Sequence, residues 1–333
     1  MEESRQTSLD HLLRCRPVLM PRIWGGRKLK TILGKDLPPD EPIGEAWEVA
    51  DVPEGVSEIA GGPLAGMSLR RVMERFGDQI CPREFEQFPL LVKFLDARDD
   101  ISIQVHPGAD VCERLFPSER SKNETWVVIE VEPGAAVLHG LRRGVSLDEV
   151  RGRIREGSIM EVMRRLEVRP GDVIHLPAGT LHALLGGIML LEVQDPSDST
   201  FRVYDHDRVT PEGKPRELHV EQALATLSIG SDRPARIVAR PQRHDWGTRE
   251  LLVDIESYRV ERLTLSGEMA WPARCGIPGV VVVMSGDVIG RWDGGEEAFG
   301  FGETFIAPPA VRNLTLAPLK DRCEVVVTTP AVG

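Results

Sequence analysis

Short apolar segments separated by Gly, Pro and Asp recur along this chain and constrain its fold most strongly. After about residue 236 they include "SYRVERLTL", "GIPGVVVVMSGDVIGRW", "FGFGETFIAPPAV" and "RCEVVVTT". Each has the length of one or two strands, and the residues between them are those that form tight turns. Similar segments, such as "PLLVKFLDA" and "ETWVVIEV", occur earlier in the chain. Many short strands joined in this way predict a mainly β protein built as antiparallel sandwiches or barrels.

Two segments of similar pattern indicate that one barrel motif occurs twice. "RPGDVIHLPAG" and "GFGETFIAPPA" each place a Gly and an acidic residue before an apolar pair that is followed by Pro. The length of 333 residues suits two domains. We expect a first domain over residues 1–235, with N-terminal strands and a helical insertion at about 146–168, and a second barrel over 236–333. The insertion is predicted as two helices broken near Gly157, starting at a capping box of Ser146 and Glu149.

Charge and cysteine usage exclude several classes of protein. The 41 basic and 52 acidic residues give a formal net charge of −11, which argues against a broad nucleic-acid-binding surface. No apolar segment approaches the length that crosses a bilayer, and the N-terminal "MEESRQTSLD" lacks an export pattern. These features predict a cytoplasmic protein without nucleic-acid or membrane partners. The cysteines are odd in number, scattered and typical of reduced thiols, not of a disulfide framework or a thiolate metal site; they are Cys15, Cys81, Cys112, Cys275 and Cys323.

The segment "SIQVHPG" places polar side chains on one face of an apolar strand. Because side chains alternate along a strand, Ser102, Gln104 and His106 share a face. Such a face either meets solvent or lines a pocket. Two further donors accompany it: Glu124 opens the strand "ETWVVIEV", and His182 follows a Pro-Ala-Gly turn. A single histidine in such a place is more often a satisfied polar residue, but the combination favours a metal site.

The four candidate metal ligands are therefore Gln104, His106, Glu124 and His182. Neighbouring barrel strands can direct inward-facing residues to one point, and His and carboxylate donors suit zinc. His175 lies among apolar neighbours and is predicted to be structural or to support a ligand. The remaining histidines lack ligand-like spacing; they are His139, His206, His219 and His244. Because His244 is the last histidine, the second barrel is not expected to hold a histidine metal site or a catalytic group.

Charged side chains near these donors suggest a pocket for an acidic or phosphorylated substrate. Lys122 stands two residues before Glu124, and Arg202 lies in "STFRVYD". Glu192 and Gln194 share a strand face just upstream. An arginine fork can bind phosphate through two hydrogen bonds, although a single Lys or Arg is more often a solvated surface charge.

Six segments, in the same order, resemble the zinc-dependent type I mannose-6-phosphate isomerases, which are cupin-fold enzymes. They are "RIWGG", "GEAWE", "PLLVKFLDARDDISIQVHPG", "KNETWVVIE", "LPAGTLHAL" and "LLEVQDPSDSTFRVYD". They span the first two thirds of the chain, in the form found in shorter bacterial members. The last third resembles the family only as a degenerate second barrel. The resemblance therefore implies a double cupin, that is, two jelly-roll barrels with helical insertions.

The resemblance also implies a function and a set of residue roles. The reaction would interconvert mannose 6-phosphate and fructose 6-phosphate, with one Zn²⁺ per chain bound by the four ligands named above. Ser102, Lys122 and Arg202 would line the sugar-phosphate pocket. Glu192 and Lys122 are the alternative groups for acid/base proton transfer, and Arg202 would hold the phosphate or screen developing charge. The chain is expected to be a monomer or a homodimer.

Two other functions remain open at this point. His and Glu ligands also suit iron, so another metal-dependent cupin enzyme, such as an Fe(II) oxygenase, is one alternative. A non-enzymatic protein that binds sugar phosphate on the same fold is the other. Metal analysis with an oxygen-consumption assay would distinguish the first, and a turnover assay the second.

Overall fold

The structure, a computed structural model, describes residues 9–81, 85, 87–210, 213–230, 234–272 and 276–331. Its secondary structure is mostly β, so the predicted fold class is confirmed. The described chain forms two compact units. Unit A contains residues 19–46 and 93–237, and unit B contains residues 1–18, 47–92 and 238–333, apart from those not described. No helix among the described residues is both long and apolar enough to span a membrane.

The helices are short. They are α1 (Lys28–Thr31), α2 (Leu69–Ile80), α3 (Ala109–Leu115), α4 (Leu147–Arg155) and α5 (Val220–Thr226), with 3-10 turns at Gly62–Leu64 and Ile159–Val162. The strands up to residue 204 are β1 (Leu13–Arg16), β2 (Val18–Gly26), β3 (Ile43–Val49), β4 (Asp51–Val52), β5 (Gly55–Val56), β6 (Glu58–Ile59), β7 (Leu91–Ala97), β8 (Ile103–Val105), β9 (Glu124–Val131), β10 (Ala136–Leu141), β11 (Met163–Glu167), β12 (Val173–Leu176), β13 (His182–Leu184), β14 (Ile188–Gln194) and β15 (Phe201–Tyr204).

The later strands are β16 (Arg236–Ile237), β17 (Gln242–His244), β18 (Gly247–Asp254), β19 (Tyr258–Leu265), β20 (Met269–Ala270), β21 (Gly279–Ser285), β22 (Val288–Trp292), β23 (Gly295–Phe299), β24 (Thr304–Ala307), β25 (Thr315–Pro318) and β26 (Cys323–Pro330).

Unit A is built from two sheets around one apolar core. One sheet has the order β16-β12-β9-β14-β7-β2-β3, and β7 also pairs with β3; the other has the order β11-β10-β13-β8-β15. Side chains from both sheets, including Trp126, Ile174, Val105 and Leu184, meet in the buried core. Burial of this apolar surface is the main stabilising contribution to the unit.

Unit B has a similar plan. Its sheets have the orders β17-β18-β19-β26-β21-β24-β1-β6 and β20-β25-β22-β23, around a core that includes Leu263, Val281, Phe305 and Val325. The sequence assigned residues 1–18 and 47–92 to the first domain, whereas the compact units group them with the C-terminal strands. The physical reason is the pairing of β1 with β24 on one side and with β6 on the other.

The strand orders of the two units correspond, as the repeated sequence pattern indicated. The run β12-β9-β14-β7 in unit A matches β24-β21-β26-β19 in unit B, and the pairing of β3 with β7 matches that of β18 with β19. The register agrees as well. Leu176, the last residue of β12, lies opposite Glu124, the first residue of β9, and Ala307, the last residue of β24, lies opposite Gly279, the first residue of β21. The two related sequence segments therefore form β12 and β24, each followed by Pro.

The predicted helical insertion at 146–168 is only partly helical. Its start is as expected, since Ser146 caps α4 by accepting a hydrogen bond from the Glu149 N–H at 3.2 Å. The prediction of a second helix after Gly157 is wrong. The chain makes a 3-10 turn there and then forms β11, because Met163–Glu167 pairs along β10 and this pairing supplies the backbone hydrogen bonds.

Candidate active site

Three neighbouring elements of unit A bring the four predicted metal ligands to one place. Gln104 lies in β8 opposite His182 in β13, and His106 follows one residue after β8 ends. Glu124 opens β9 on the other sheet. Donor atoms of His106, Glu124 and His182 all lie within 4.8 Å of one another, and all three residues are buried. These three residues form a candidate metal site.

Backbone hydrogen bonds fix the orientation of both imidazole rings. His106 donates from Nδ1 to the Ser199 carbonyl at 2.8 Å, and His182 donates from Nδ1 to the Thr180 carbonyl at 2.9 Å. A carbonyl only accepts, so Nδ1 must carry the proton, and each neutral ring presents an unprotonated Nε2. A metal-binding histidine is commonly held by such a hydrogen bond from its other nitrogen.

The Nε2 atoms face the Glu124 carboxylate without a proton to share. His106 Nε2 lies 3.0 Å from Oε1, and His182 Nε2 lies 3.5 Å from Oε2. Burial and the charge of Lys122 lower the pKa of His106, and burial lowers that of His182 to about 3, so both rings are neutral near pH 7. Buried lone pairs that face one another are unfavourable unless a cation lies between them. The donor set therefore fits a metal ion.

A turn with one glycine sets the position of His182. Gly179, at φ +83°, donates its N–H to the His106 carbonyl at 2.8 Å. The preceding Ala178 N–H bonds to Asn123 Oδ1 at 3.0 Å. A side chain at Gly179 would place its Cβ 2.4 Å from Ser228 Oγ, and few residues other than Gly adopt this φ. The predicted Pro-Ala-Gly turn thus connects the two histidines through the backbone.

Gln104 lies beside this triad at the pocket surface. It lines the same cavity as Glu124, and its Oε1 accepts a hydrogen bond from Ser102 Oγ at 3.1 Å. The predicted polar strand face is therefore a pocket wall. An amide oxygen can bind a metal ion as a neutral ligand, so Gln104 would complete a four-residue ligand set without adding charge.

The predicted acid/base groups lie against a buried chain of charges. Lys122 Nζ is 2.9 Å from Glu124 Oε1. Lys93 Nζ lies 3.4 Å from Glu192 and 3.6 Å from Glu45. Burial lowers the pKa of Lys93, but the two glutamates outweigh it and raise the pKa overall.

The carboxylates of this chain have different proton affinities. Burial, followed by the negative charge of Glu124, raises the pKa of Glu192 to about 8. Burial raises the pKa of Glu124 too, but Lys122 and His106 outweigh it and hold that pKa well below its usual range. Glu192 therefore takes up a proton more readily than Glu124, which suits Glu192 to proton transfer and Glu124 to metal binding.

Arg202 lines the cavity from β15, where it lies opposite Gln104 of β8 in the strand pairing. Its Nη1 donates to the Glu217 carbonyl at 3.0 Å, whereas its Nε is buried and makes no hydrogen bond with any described residue. Arg216 and His219 line the cavity next to it. Asp205 holds Arg216 through Nε at 2.7 Å and Arg208 through Nη2 at 2.7 Å, and these bonds lower its pKa although burial raises it.

The cavity has a volume of about 300 Å³ and an almost balanced set of charges. Five of its side chains are cationic, Arg22, Lys93, Lys122, Arg202 and Arg216, and four are acidic, Glu45, Glu124, Glu192 and Asp198. A divalent cation at the triad would make it strongly positive. Such a cavity suits a small polar anion.

Sequence reasoning missed several residues of this cavity. Lys93, Glu45, Arg216 and the background His219 were not assigned to it, and Lys93 had a signal: a lone lysine within a buried apolar strand requires a buried partner. The position of His175 is consistent with the predicted supporting role, because its Nδ1 lies 3.0 Å from the Glu124 carbonyl.

Four cysteines are free and buried, namely Cys15, Cys81, Cys112 and Cys323. Cys275 lies outside the described residues, as do residues 1–8 of the N-terminal segment.

Comparisons of the sequence and of the structure with known proteins all lead to one family. Residues 12–131 match the family described as phosphomannose isomerase type I, catalytic domain. The chain is 33% identical over 326 residues to a probable mannose-6-phosphate isomerase of Bacillus subtilis, covering 97% of this chain and 100% of that one. It is 39% identical over 209 residues to a mannose-6-phosphate isomerase of Streptococcus mutans, covering 63% and 65% of the two chains. The crystal structure of the mannose 6-phosphate isomerase from Bacillus subtilis superposes with a TM-score of 0.88 at 30% identity, covering 95% of this chain and 99% of that one.

Proposed function

The chain belongs to the type I phosphomannose isomerase family, and from this membership we infer that it is an enzyme that interconverts mannose 6-phosphate and fructose 6-phosphate. This aldose–ketose isomerisation moves a proton between C2 and C1 and transfers no electrons to an outside acceptor. The difficult step is removal of a proton next to a carbonyl, which generates an enediol or enediolate. The site must therefore supply a proton carrier, stabilise negative charge at the sugar oxygens and hold the phosphate.

The metal is proposed to be one Zn²⁺ per chain, held by His106, Glu124, His182 and Gln104. Two imidazoles and a carboxylate form a ligand set that zinc accepts, and a redox-neutral reaction requires no redox-active metal. When bound, such an ion polarises carbonyl and hydroxyl oxygens and stabilises negative charge on them. The facing, unprotonated Nε2 atoms beside the Glu124 carboxylate are the observation that carries this proposal.

Glu192 is proposed as the group that carries the proton between C2 and C1, with Lys122 as the alternative. Glu192 lines the cavity, and its pKa of about 8 lets it exchange a proton near neutral pH. Lys93, 3.4 Å away, would stabilise the carboxylate whenever the proton is on the sugar. Lys122 is positioned by its ion pair with Glu124 to donate a hydrogen bond to a sugar oxygen.

Arg202 is proposed to bind the phosphate group, together with Arg216. Arg202 has a buried Nε that makes no hydrogen bond with the described residues, and Asp205 holds Arg216 in place at the cavity wall. Planar guanidinium groups bind phosphate through paired hydrogen bonds. Ser102, which lines the same cavity, would contact the sugar.

Three broader properties are proposals as well. Unit A would carry the whole reaction, because the metal donors and the cavity residues all belong to it. The protein would act in the cytoplasm, which agrees with the four free cysteines among the described residues. It would act as a monomer or a homodimer, a question that analytical ultracentrifugation can decide.

A coupled assay for fructose 6-phosphate formation from mannose 6-phosphate, before and after chelation, tests the function. We expect turnover that is lost with the metal and restored by Zn²⁺. Elemental analysis of His106→Ala and His182→Ala tests the site, and His139→Ala serves as control because His139 is equally buried and lies opposite His182 on β10. Wild-type zinc content in both ligand variants would refute the assignment.

A further inference from the structure

Unit B contains a second cavity, of about 190 Å³, that the isomerase reaction does not use. Its wall carries three aromatic rings, those of His244, Trp246 and Trp271, and its polar lining includes Arg249, Glu261 and Thr329. The His244 and Trp246 rings are stacked, with centroids 4.7 Å apart and planes at 4°. The volume is below the ~300–1,000 Å³ typical of pockets for drug-sized ligands, so the cavity fits a single small ring.

This cavity lies where unit A has its active site. Gly279 opens β21 opposite Ala307, as Glu124 opens β9 opposite Leu176. Val327 lies opposite Val281 as Glu192 lies opposite Trp126. A Cβ at Gly279 would lie 2.4 Å from Trp271 Cζ2, so the indole occupies the space that a side chain at this position would need. Gly279 and Val327 therefore stand where unit A has Glu124 and Glu192, and the Trp271 ring fills the space beside Gly279.

Glu261 provides the polar floor of the cavity. It lies in β19 on the same strand face as the core residue Leu263 and, although it is charged, only 7% of it is exposed. Arg249 and Arg259 both donate to its Oε1, at 2.9 Å and 2.7 Å. Within the described residues, none of the hydrogen bonds to this carboxylate uses Oε2. A carboxylate oxygen that lines a cavity and has acceptor capacity left can accept a hydrogen bond from a ligand.

The charges around Glu261 are balanced. Arg259 also donates to Asp254 at 2.9 Å, so two arginines face two carboxylates. A neutral cluster of this kind favours a ligand without net charge and disfavours a phosphate ester. The floor supplies hydrogen-bond donors and acceptors, and the wall supplies flat aromatic faces.

We propose that this cavity is a second binding site, specific for a neutral pyranose ring. A pyranose has an apolar C–H face, which suits the negative face of an aromatic ring, and a rim of hydroxyl groups, which suits a carboxylate and a guanidinium. Glu261 accepts from the hydroxyl groups, Arg249 donates to them, and Trp271 covers the C–H face. The site thus binds unphosphorylated sugar, whereas the cavity of unit A takes the phosphorylated one.

Isothermal titration with methyl α-D-mannopyranoside tests this proposal, because a methyl glycoside cannot open its ring and is not a substrate. We expect saturable binding by the wild-type protein that is weakened about tenfold or more in Glu261→Gln and in Trp271→Leu. Trp292→Leu is the matched control that should bind as wild type, because this tryptophan packs on the same core as Trp271 without lining the cavity. Glu192→Gln, at a buried glutamate of unit A, shows whether any of the binding belongs to the active-site cavity. Thermal midpoints would verify that each variant is folded.

Other outcomes would overturn the proposal. Binding that is lost in Glu192→Gln and kept in Glu261→Gln would belong to the active site. Absence of saturable binding to this mannoside and to methyl α-D-glucopyranoside would remove the pyranose site. A dimer that dissociates in Trp271→Leu, without sugar binding by either form, would identify the aromatic wall as a contact between copies of the chain. Because the mannoside is not turned over, each of these results is independent of the isomerase activity.

Discussion

Replacing Arg202 with lysine tests whether this residue recognises the phosphate group. The substitution keeps the positive charge but removes the planar fork, including the buried Nε. A hydrogen bond to a charged group contributes about 1.5–3 kcal/mol, which corresponds to roughly a ten- to hundredfold change in a rate or binding constant. The Glu217 carbonyl, which accepts from Arg202 Nη1 at 3.0 Å, would keep the lysine in the same region. We therefore expect kcat/KM for mannose 6-phosphate to fall roughly ten- to hundredfold.

The comparison of two substrates gives this experiment its discriminating power. If Arg202 binds phosphate, the loss should be large for mannose 6-phosphate and small for unphosphorylated mannose, which a coupled assay at high enzyme concentration can measure. Equal losses for both substrates would assign Arg202 to charge stabilisation at the reacting carbons instead. Arg208→Lys is the matched control. Arg208 bonds to Asp205, the carboxylate that also holds the cavity residue Arg216, but Arg208 does not itself line the cavity. Wild-type kinetics for both substrates in Arg202→Lys would remove this residue from the site.

Four further predictions follow from the same contacts. Asp205→Asn should lower the free energy of unfolding of the metal-free protein, measured with urea, by about 2 kcal/mol at pH 7. Because the folded state lowers the pKa of Asp205, this difference should shrink as the pH falls below the ordinary Asp pKa of about 4. A difference that stays constant with pH would contradict its origin in the ion pairs. Gly179→Ala should reduce zinc content, measured by elemental analysis, because the turn that places His182 cannot accept a Cβ; full occupancy would show that the turn adjusts. Glu192→Gln should reduce kcat about a hundredfold or more with zinc retained. Turnover close to that of the wild type would assign proton transfer to Lys122 instead. Alanine at Glu268, an exposed acidic residue of unit B, should leave kcat/KM unchanged, and a loss in the folded variant would contradict the assignment of catalysis to unit A.

The metal donors could be predicted from sequence because strand periodicity determines side-chain direction. Ser102 and Gln104 line the cavity as alternation along the strand requires, and His106 continues to the triad one residue beyond β8. Glu124 and His182 come from other strands, and only the closure of the sheets brings them to the same point. Their residue types made the grouping reasonable, because few structural roles require histidines and a glutamate on the polar ends of strands.

The rest of the cavity depends on tertiary contacts that no local pattern encodes. Arg216 and His219 follow β15 in an irregular segment; the Asp205 carboxylate holds Arg216, and one backbone hydrogen bond to the Arg202 carbonyl holds His219. The same limit explains the error after Gly157. The local sequence of Met163–Glu167 fits a helix, but pairing with β10 stabilises a strand there.

The two units show how one strand plan can serve two kinds of pocket. Both have the same order of strands and the same register at the mouth, so the backbone alone does not distinguish them. The difference lies in a few inward positions, where Glu124 and Glu192 have Gly279 and Val327 as counterparts. Once Trp271 lies against Gly279, no carboxylate can be placed there without displacing an indole that packs on the core. The aromatic wall therefore stabilises unit B and at the same time excludes a metal site from it, which agrees with the absence of histidine beyond His244.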